Sequence, residues 1–149
     1  NKTLLLSRKK PKALKKCKWI KLDLNGDINH LPKNVERIFF LSSPYYIKKN
    51  LNILKLNKEF LWLKKISKSI NTKTFVYFSS RSVYYRKHPL GLVKKKCEAF
   101  LLKRKYPYLQ IWRPFNILAK YENVLSDHFH NILIKNFLFK KKKISFFRR

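Results

Sequence analysis

Glycine, methionine and acidic residues are scarce in this chain. Its 149 residues include two glycines, no methionine and 7 Asp plus Glu against 37 Lys plus Arg, a formal net charge of +30 at pH 7. With only Gly26 and Gly91, the chain has no glycine-rich loop of the kind that cradles phosphates. The positive field favours anionic partners, which include nucleic acid, dinucleotide phosphates and anionic lipid.

Cysteine is also rare, and long hydrophobic runs are missing. Cys17 and Cys97 are far apart and form no C-x-x-C motif, a spacing that predicts two buried thiols in a reducing compartment. No charge-free apolar run approaches the roughly eighteen residues of a membrane span. No signal peptide is visible in the sequence. We therefore expect a cytoplasmic protein without a membrane partner.

Apolar residues, in contrast, are plentiful. They make up 45% of the chain, which excludes a disordered polycation and is enough for one domain with a hydrophobic core. The excess of lysine has two explanations. It suits nucleic-acid binding, but an AT-rich genome would also enrich Lys, Asn, Ile and Phe, with Lys filling solvated faces.

The segment FVYF, Phe75–Phe78, predicts a strand that is buried on both faces, as in a parallel sheet. Helical spacing of apolar residues predicts helices in 46–70, from Pro89 onward and in 123–139. Further strands are predicted at Thr3–Ser7, Lys18–Leu22, Arg37–Leu41 and Tyr108–Trp112. Alternating strands and helices predict an α/β fold whose central strand is Phe75–Phe78, between the last two of these strands.

Three short motifs suggest a family. Residues 79–84, SSRSVY, carry the pattern S-S-x-S-V-Y, residues 112–116 are WRPFN, and residues 21–27 are KLDLNGD. In this order they resemble the extended short-chain dehydrogenase/reductase family, which includes the nucleotide-sugar epimerases and dehydratases. The resemblance covers residues 3–116 and fades over 117–149. It implies a single, partial NAD(P)-binding domain with a Rossmann-like, doubly wound parallel sheet.

The resemblance implies residues that bind NAD or NADP. Asp23 would accept a hydrogen bond from the adenine amino group, and Leu24 would lie along the ring. Ser42 and Ser43 would line the passage of the dinucleotide over the sheet. Asp23 equally suits an Asx-turn, because it stands just before an Asn-Gly pair.

Arg8 follows the first predicted strand. In a dinucleotide fold a basic residue at this point suits the 2′-phosphate of NADP, so the resemblance makes Arg8 a cofactor contact. Alternatively, Arg8 belongs to a solvated basic loop.

The resemblance also implies catalytic and substrate-binding residues. Ser80 matches the hydroxyl that bonds the reacting oxygen, and Lys94 matches the lysine that binds the nicotinamide ribose and lowers the pKa of a neighbouring phenol. Asn116 matches the asparagine of R-P-F-N and is assigned to the substrate. The position of the catalytic tyrosine, however, is Leu90, which has no proton to transfer. Without reference to any family, Ser80 caps the turn after a buried strand.

The phosphate loop G-x-x-G-x-x-G should precede Thr3 and is not in the chain. The sequence therefore predicts a domain lacking its first βα unit, either a fragment or a degenerate remnant. His128 and His130 diverge on the predicted helix, so no metal site is expected.

The sequence thus predicts an NAD(P)-dependent epimerase/dehydratase-like protein that is truncated or catalytically impaired and has a nucleotide sugar as its ligand. A basic nucleic-acid-binding protein is the first alternative, although we expect the aromatic residues mainly inside strand and helix cores. A non-catalytic scaffold of the same fold is the second. Non-specific nucleic acid and a second copy in a homodimer are the further partners considered.

Overall fold

The computed structural model describes residues 3–11, 17–44 and 53–114. The chain divides into two compact units, Asn1–Arg113 and Pro114–Arg149, and the helices and strands of the described residues belong to the first. Its elements are β1 (Leu4–Ser7), β2 (Lys18–Lys21), β3 (Asn34–Phe40), α1 (Ile53–Ser69), β4 (Asn71–Phe78), a 3-10 helix (Arg81–Tyr84), α2 (Pro89–Lys103) and β5 (Tyr108–Trp112).

The predicted strands are all confirmed, with shifts at their ends. β3 and β4 begin earlier than predicted, at Asn34 and Asn71, because polar residues extend both strands before their apolar parts. The predicted helix from Pro89 is confirmed, and α1 lies within the predicted range 46–70. The predicted helix over 123–139 is outside the described residues.

The strands form two parallel sheets. β1 pairs with β2, and β4 lies between β3 and β5, as predicted for the central strand. Parallel neighbours need crossover connections, which α1 supplies between β3 and β4 and α2 supplies between β4 and β5. The described part of the chain is therefore an α/β fold with parallel strands.

One face of the three-stranded sheet packs against both helices. Side chains alternate along each strand, and this face carries Phe75 and Tyr77 of β4, both fully buried. They share one hydrophobic core with residues of α1 and α2 that include Leu56, Leu63 and Cys97. When two successive crossover connections have the same handedness and run in the same direction across a sheet, both of their helices lie on the same side of it. Val76, on the other face, is also buried.

Gly91 allows α2 to approach the 3-10 helix closely. A Cβ atom at Gly91 would overlap the backbone carbonyl of Ser82. Pro89 occupies the first turn of α2, where its missing N–H is not needed. This contact fixes where α2 begins, and hence where Lys94 and Glu98 lie beneath the end of β4.

The cysteine prediction is half right. Cys97 is buried in the core, but Cys17 is only partly buried, because it precedes β2 in the smaller sheet. Among residues 3–11, 17–44 and 53–114, no helix has both the length and the apolar character needed to cross a membrane.

Candidate functional site

The carboxyl ends of β3, β4 and β5 lie at one edge of their sheet, since the strands are parallel. Ser42 and Ser43 follow β3, Ser79 and Ser80 follow β4, and Arg113 follows β5. Open α/β sheets bind ligands outside this edge. The fold thus brings three of the residues predicted for the site, the two β3 serines and Ser80, to one edge.

A buried carboxylate joins three elements behind this edge. Glu59 of α1 is fully buried and accepts hydrogen bonds from Ser43 Oγ at 2.7 Å, Tyr77 Oη at 2.7 Å and Lys94 Nζ at 2.6 Å. The ammonium of Lys94 also donates to the backbone carbonyl of Phe78 at 2.8 Å. Lys94, predicted to bind ribose, is thus held in an internal ion pair, and its role toward a cofactor stays a prediction.

The neighbours of this ion pair are kept protonated. Burial, and then the negative charge of Glu59, raise the pKa of the Tyr77 phenol well above its ordinary value of 10. Burial also raises the pKa of the Cys97 thiol to about 11. The Tyr77 phenol stands close to Lys94, whose Nζ is 5.1 Å from the ring centroid. A pKa this high makes Tyr77 a structural donor rather than a general acid near neutral pH.

A second carboxylate anchors the end of β5. Glu98 Oε1 accepts from Arg113 Nε at 2.9 Å and from Ser79 Oγ, and its Oε2 accepts from Arg113 Nη2 at 2.7 Å. This two-point geometry is the strong form of the Arg–carboxylate pair. Arg113 Nη1 also donates to Tyr84 Oη at 3.2 Å. One guanidinium therefore links β5, α2 and the 3-10 helix at the carboxyl edge.

The environment of Glu98 stabilises its charged form. Burial alone would raise the pKa of this carboxyl, but the hydrogen bonds from Arg113 and Ser79, together with the charges of Arg113 and Lys94, lower it below 4.5. The hydrogen bond to Glu98 raises the pKa of Arg113 in turn. The pair is therefore fully ionised at neutral pH.

Ser80 takes the capping role that its position allowed. Its Oγ accepts a hydrogen bond from the backbone N–H of Ser82 at 3.2 Å and caps the 3-10 helix. A hydroxyl that accepts one hydrogen bond can still donate another, so Ser80 Oγ has the chemistry to donate to a ligand. Leu90, at the tyrosine position of the family pattern, is buried in the first turn of α2.

The loop after β2 contains the predicted adenine contact. Asp23 is exposed, and its Oδ1 accepts from the backbone N–H of Asn25 at 2.9 Å, the Asx-turn that was its alternative role. That backbone hydrogen bond lowers the pKa of Asp23. Trp62 Nε1 donates to Asn25 Oδ1 at 3.0 Å, and Lys65 donates to the Gly26 carbonyl. The loop is thereby fastened to α1, and the adenine contact stays a prediction.

The remaining predicted residues lie at the periphery. Arg8 is exposed just beyond β1, and Leu24 is half-buried. The Leu24 carbonyl accepts from Lys65 Nζ at 3.5 Å. Asn116 lies outside the described residues.

Sequence reasoning missed Glu59, and it gave no function to Glu98 or Arg113. For Glu59, the sequence does contain a pattern that could have predicted its burial. Glu59 is three residues after Leu56 and four before Leu63, which places a charged residue on the apolar stripe of α1. In a chain with only 7 acidic residues, a carboxylate on such a stripe predicts a buried ion pair.

No protein-family model and no curated protein matches the chain. In the described ranges, no three His, Cys, Asp or Glu side chains come together as metal ligands would.

Proposed function

We propose that the carboxyl edge of β3, β4 and β5 binds a dinucleotide and a nucleotide sugar, as in an NAD(P)-dependent epimerase or dehydratase with impaired catalysis. The sheet would then be part of a Rossmann-like, doubly wound fold. One observation carries the proposal. Ser79 and Ser80 stand beside Arg113 at the carboxyl ends of two adjacent parallel strands, where such sheets receive ligands.

The impairment follows from two side chains of α2. Leu90 has no ionisable group, and Lys94 already uses two of its three ammonium donors on Glu59 and Phe78. Binding a ribose would require the third donor or a rearrangement of the ion pair. Proton transfer therefore lacks both the phenol and a lysine free to lower its pKa.

Binding is tested by calorimetry with NAD, NADP and a panel of nucleotide sugars, at low salt and at about 0.3 M salt. We expect weak dinucleotide binding that falls steeply with salt, because the net charge of +30 drives phosphate attraction. Ser80→Ala should weaken nucleotide-sugar binding further, whereas Ser69→Ala, at the end of α1, should leave it unchanged. No binding at any salt would refute the proposed site, and tight, salt-insensitive binding would refute the expectation that net charge supplies most of the attraction when the glycine-rich loop is missing.

Turnover is tested by hydride transfer on the same nucleotide sugars. A positioned acid or base supplies about 10²–10⁴-fold in rate, so we expect little or no turnover. Leu90→Tyr should raise it by supplying a phenol, whereas Leu90→Phe, which adds a ring without a hydroxyl, should not. Robust turnover with Leu90 in place that Tyr84→Phe or Tyr85→Phe abolishes would show that another phenol is the acid.

A further inference from the structure

The three-stranded sheet has a second face, opposite the one that packs on α1 and α2. In the strand register, Arg37 pairs with Thr74 and Thr74 with Tyr108, while Phe39 pairs with Val76 and Val76 with Gln110. Phe78 pairs with Trp112. Residues paired across a sheet share a face. We call Arg37, Phe39, Tyr108, Gln110 and Trp112 together the aromatic face.

The three rings of the aromatic face are unusually open to solvent. Phe39 is 51% exposed, Tyr108 67% and Trp112 48%. These three rings are exceptions, because most of the described aromatic residues are buried or half-buried, as expected. Three large rings on one sheet face form a patch of the kind that marks an interaction site.

Trp112 is held in place within this patch. Its ring centroid lies 5.0 Å from that of Phe78, and its Nε1 donates to Gln110 Oε1 at 3.2 Å. An indole held by both a ring contact and a hydrogen bond loses little freedom when a planar group stacks on it. Such preorganisation favours binding.

The charges near the aromatic face favour an anionic ligand. Of the five acidic residues among those described, Glu59 and Glu98 are buried in ion pairs with Lys94 and Arg113. Glu36, the acidic residue of β3, alternates with Arg37 and belongs to the opposite face. Within the described residues, Arg37 is thus the charged member of this face, and the whole chain carries a net charge of +30.

We propose that the aromatic face binds single-stranded nucleic acid, which requires this face to stay uncovered, unlike the second face of a doubly wound sheet. Unpaired bases stack on Phe39, Tyr108 and Trp112, while Arg37 contacts a phosphate and the net positive charge of the chain attracts the backbone. Stacking requires exposed base planes, which a duplex keeps inside. Every base has such a plane, so recognition depends little on sequence.

The test is fluorescence anisotropy of labelled oligo(dT) and oligo(U), and of a duplex of equal length, titrated with the full chain at several salt concentrations. Tyr108→Ala removes the most exposed ring, and Tyr108→Phe keeps it. Leu61→Ala is the matched control, because Leu61 is an exposed apolar residue of α1. We expect Tyr108→Ala and Phe39→Ala each to weaken single-strand binding about 5- to 100-fold. Tyr108→Phe and Leu61→Ala should bind normally, and the duplex should bind less tightly than either single strand.

The salt dependence separates stacking from charge. Arg37→Gln should reduce the slope of log affinity against log salt, whereas Tyr108→Ala should leave that slope unchanged.

Equal affinity of all variants, with binding lost entirely at moderate salt, would refute the proposal. So would equal binding of duplex and single strand. Loss of a dimer in Tyr108→Ala by size exclusion, with oligonucleotide affinity unchanged, would assign the face to self-association instead. Preference for oligo(U) over oligo(dT) would identify RNA as the ligand.

Discussion

The ammonium of Lys94 lies 2.6 Å from Oε1 of Glu59, and their side chains are 7% and 0% exposed. Lys94 belongs to α2 and Glu59 to α1, so this pair joins the two helices through the core beneath the end of β4. Charges so deeply buried persist only when they are paired and hydrogen-bonded. Lys94, which the family resemblance assigns to a cofactor, is therefore already bound to Glu59 inside the protein.

Removing one member of this pair should destabilise the fold severely. We expect Lys94→Met to lower the free energy of unfolding by about 3–5 kcal/mol, because it leaves a buried carboxylate without its cation. Urea unfolding followed by tryptophan fluorescence measures the loss.

The double variant Glu59→Gln/Lys94→Met is the control. It removes both charges, so it should be more stable than Lys94→Met alone. Equal or lower stability of the double variant would mean that an unpaired Glu59 carboxylate is not what destabilises Lys94→Met.

The pair of Glu98 and Arg113 should make stability depend on pH in acid. The folded-state pKa of Glu98 lies below its ordinary value of 4.5, so its stabilising contribution is complete above that value and is lost as pH falls through the folded pKa. We expect the free energy of unfolding of Glu98→Gln to fall less steeply than that of the wild type as the pH drops below about 4.5. Glu36→Gln, at an exposed position of β3, serves as the control and should leave the acid limb unchanged.

Gly91 should tolerate no side chain. Gly91→Ala places a Cβ against the Ser82 carbonyl, so we expect a loss of about 1–3 kcal/mol from overpacking. In an ordinary helix interior the same change would stabilise by up to about 1 kcal/mol. At Gly26 an added Cβ would meet the Asp23 carbonyl oxygen at 3.5 Å, an ordinary contact. Thermal unfolding should therefore show a drop for Gly91→Ala and little change for Gly26→Ala.

Cys97 should resist alkylation in the folded protein. It is fully buried, and burial raises its pKa to about 11, so at pH 8 it has almost no thiolate to react. Iodoacetamide followed by mass spectrometry should modify at most one of the 2 cysteines natively and both after unfolding. Rapid native labelling of Cys97 would show that the core around Glu59 opens readily.

The strands were predictable because their apolar residues are local signals. The run Phe75–Phe78 predicted a central strand, and its neighbours in the sheet are those the strand–helix alternation predicted. The positions of Ser42, Ser43 and Ser80 followed from the same pattern, since residues after parallel strands meet at one edge. The partners of Lys94 did not follow, because Glu59 is 35 residues away in the chain and no local rule connects them.

The sequence by itself determined the α/β alternation, the order of the strands along the chain and the large positive charge, since each depends on composition or short-range periodicity. Only the tertiary structure decided which charges are buried and which aromatic rings face solvent. Helical packing covered Phe75 and Tyr77 on one side of the sheet and left Phe39, Tyr108 and Trp112 exposed on the other. Apolar residues on both faces have the same local signature, and burial depends on what the rest of the chain packs against them.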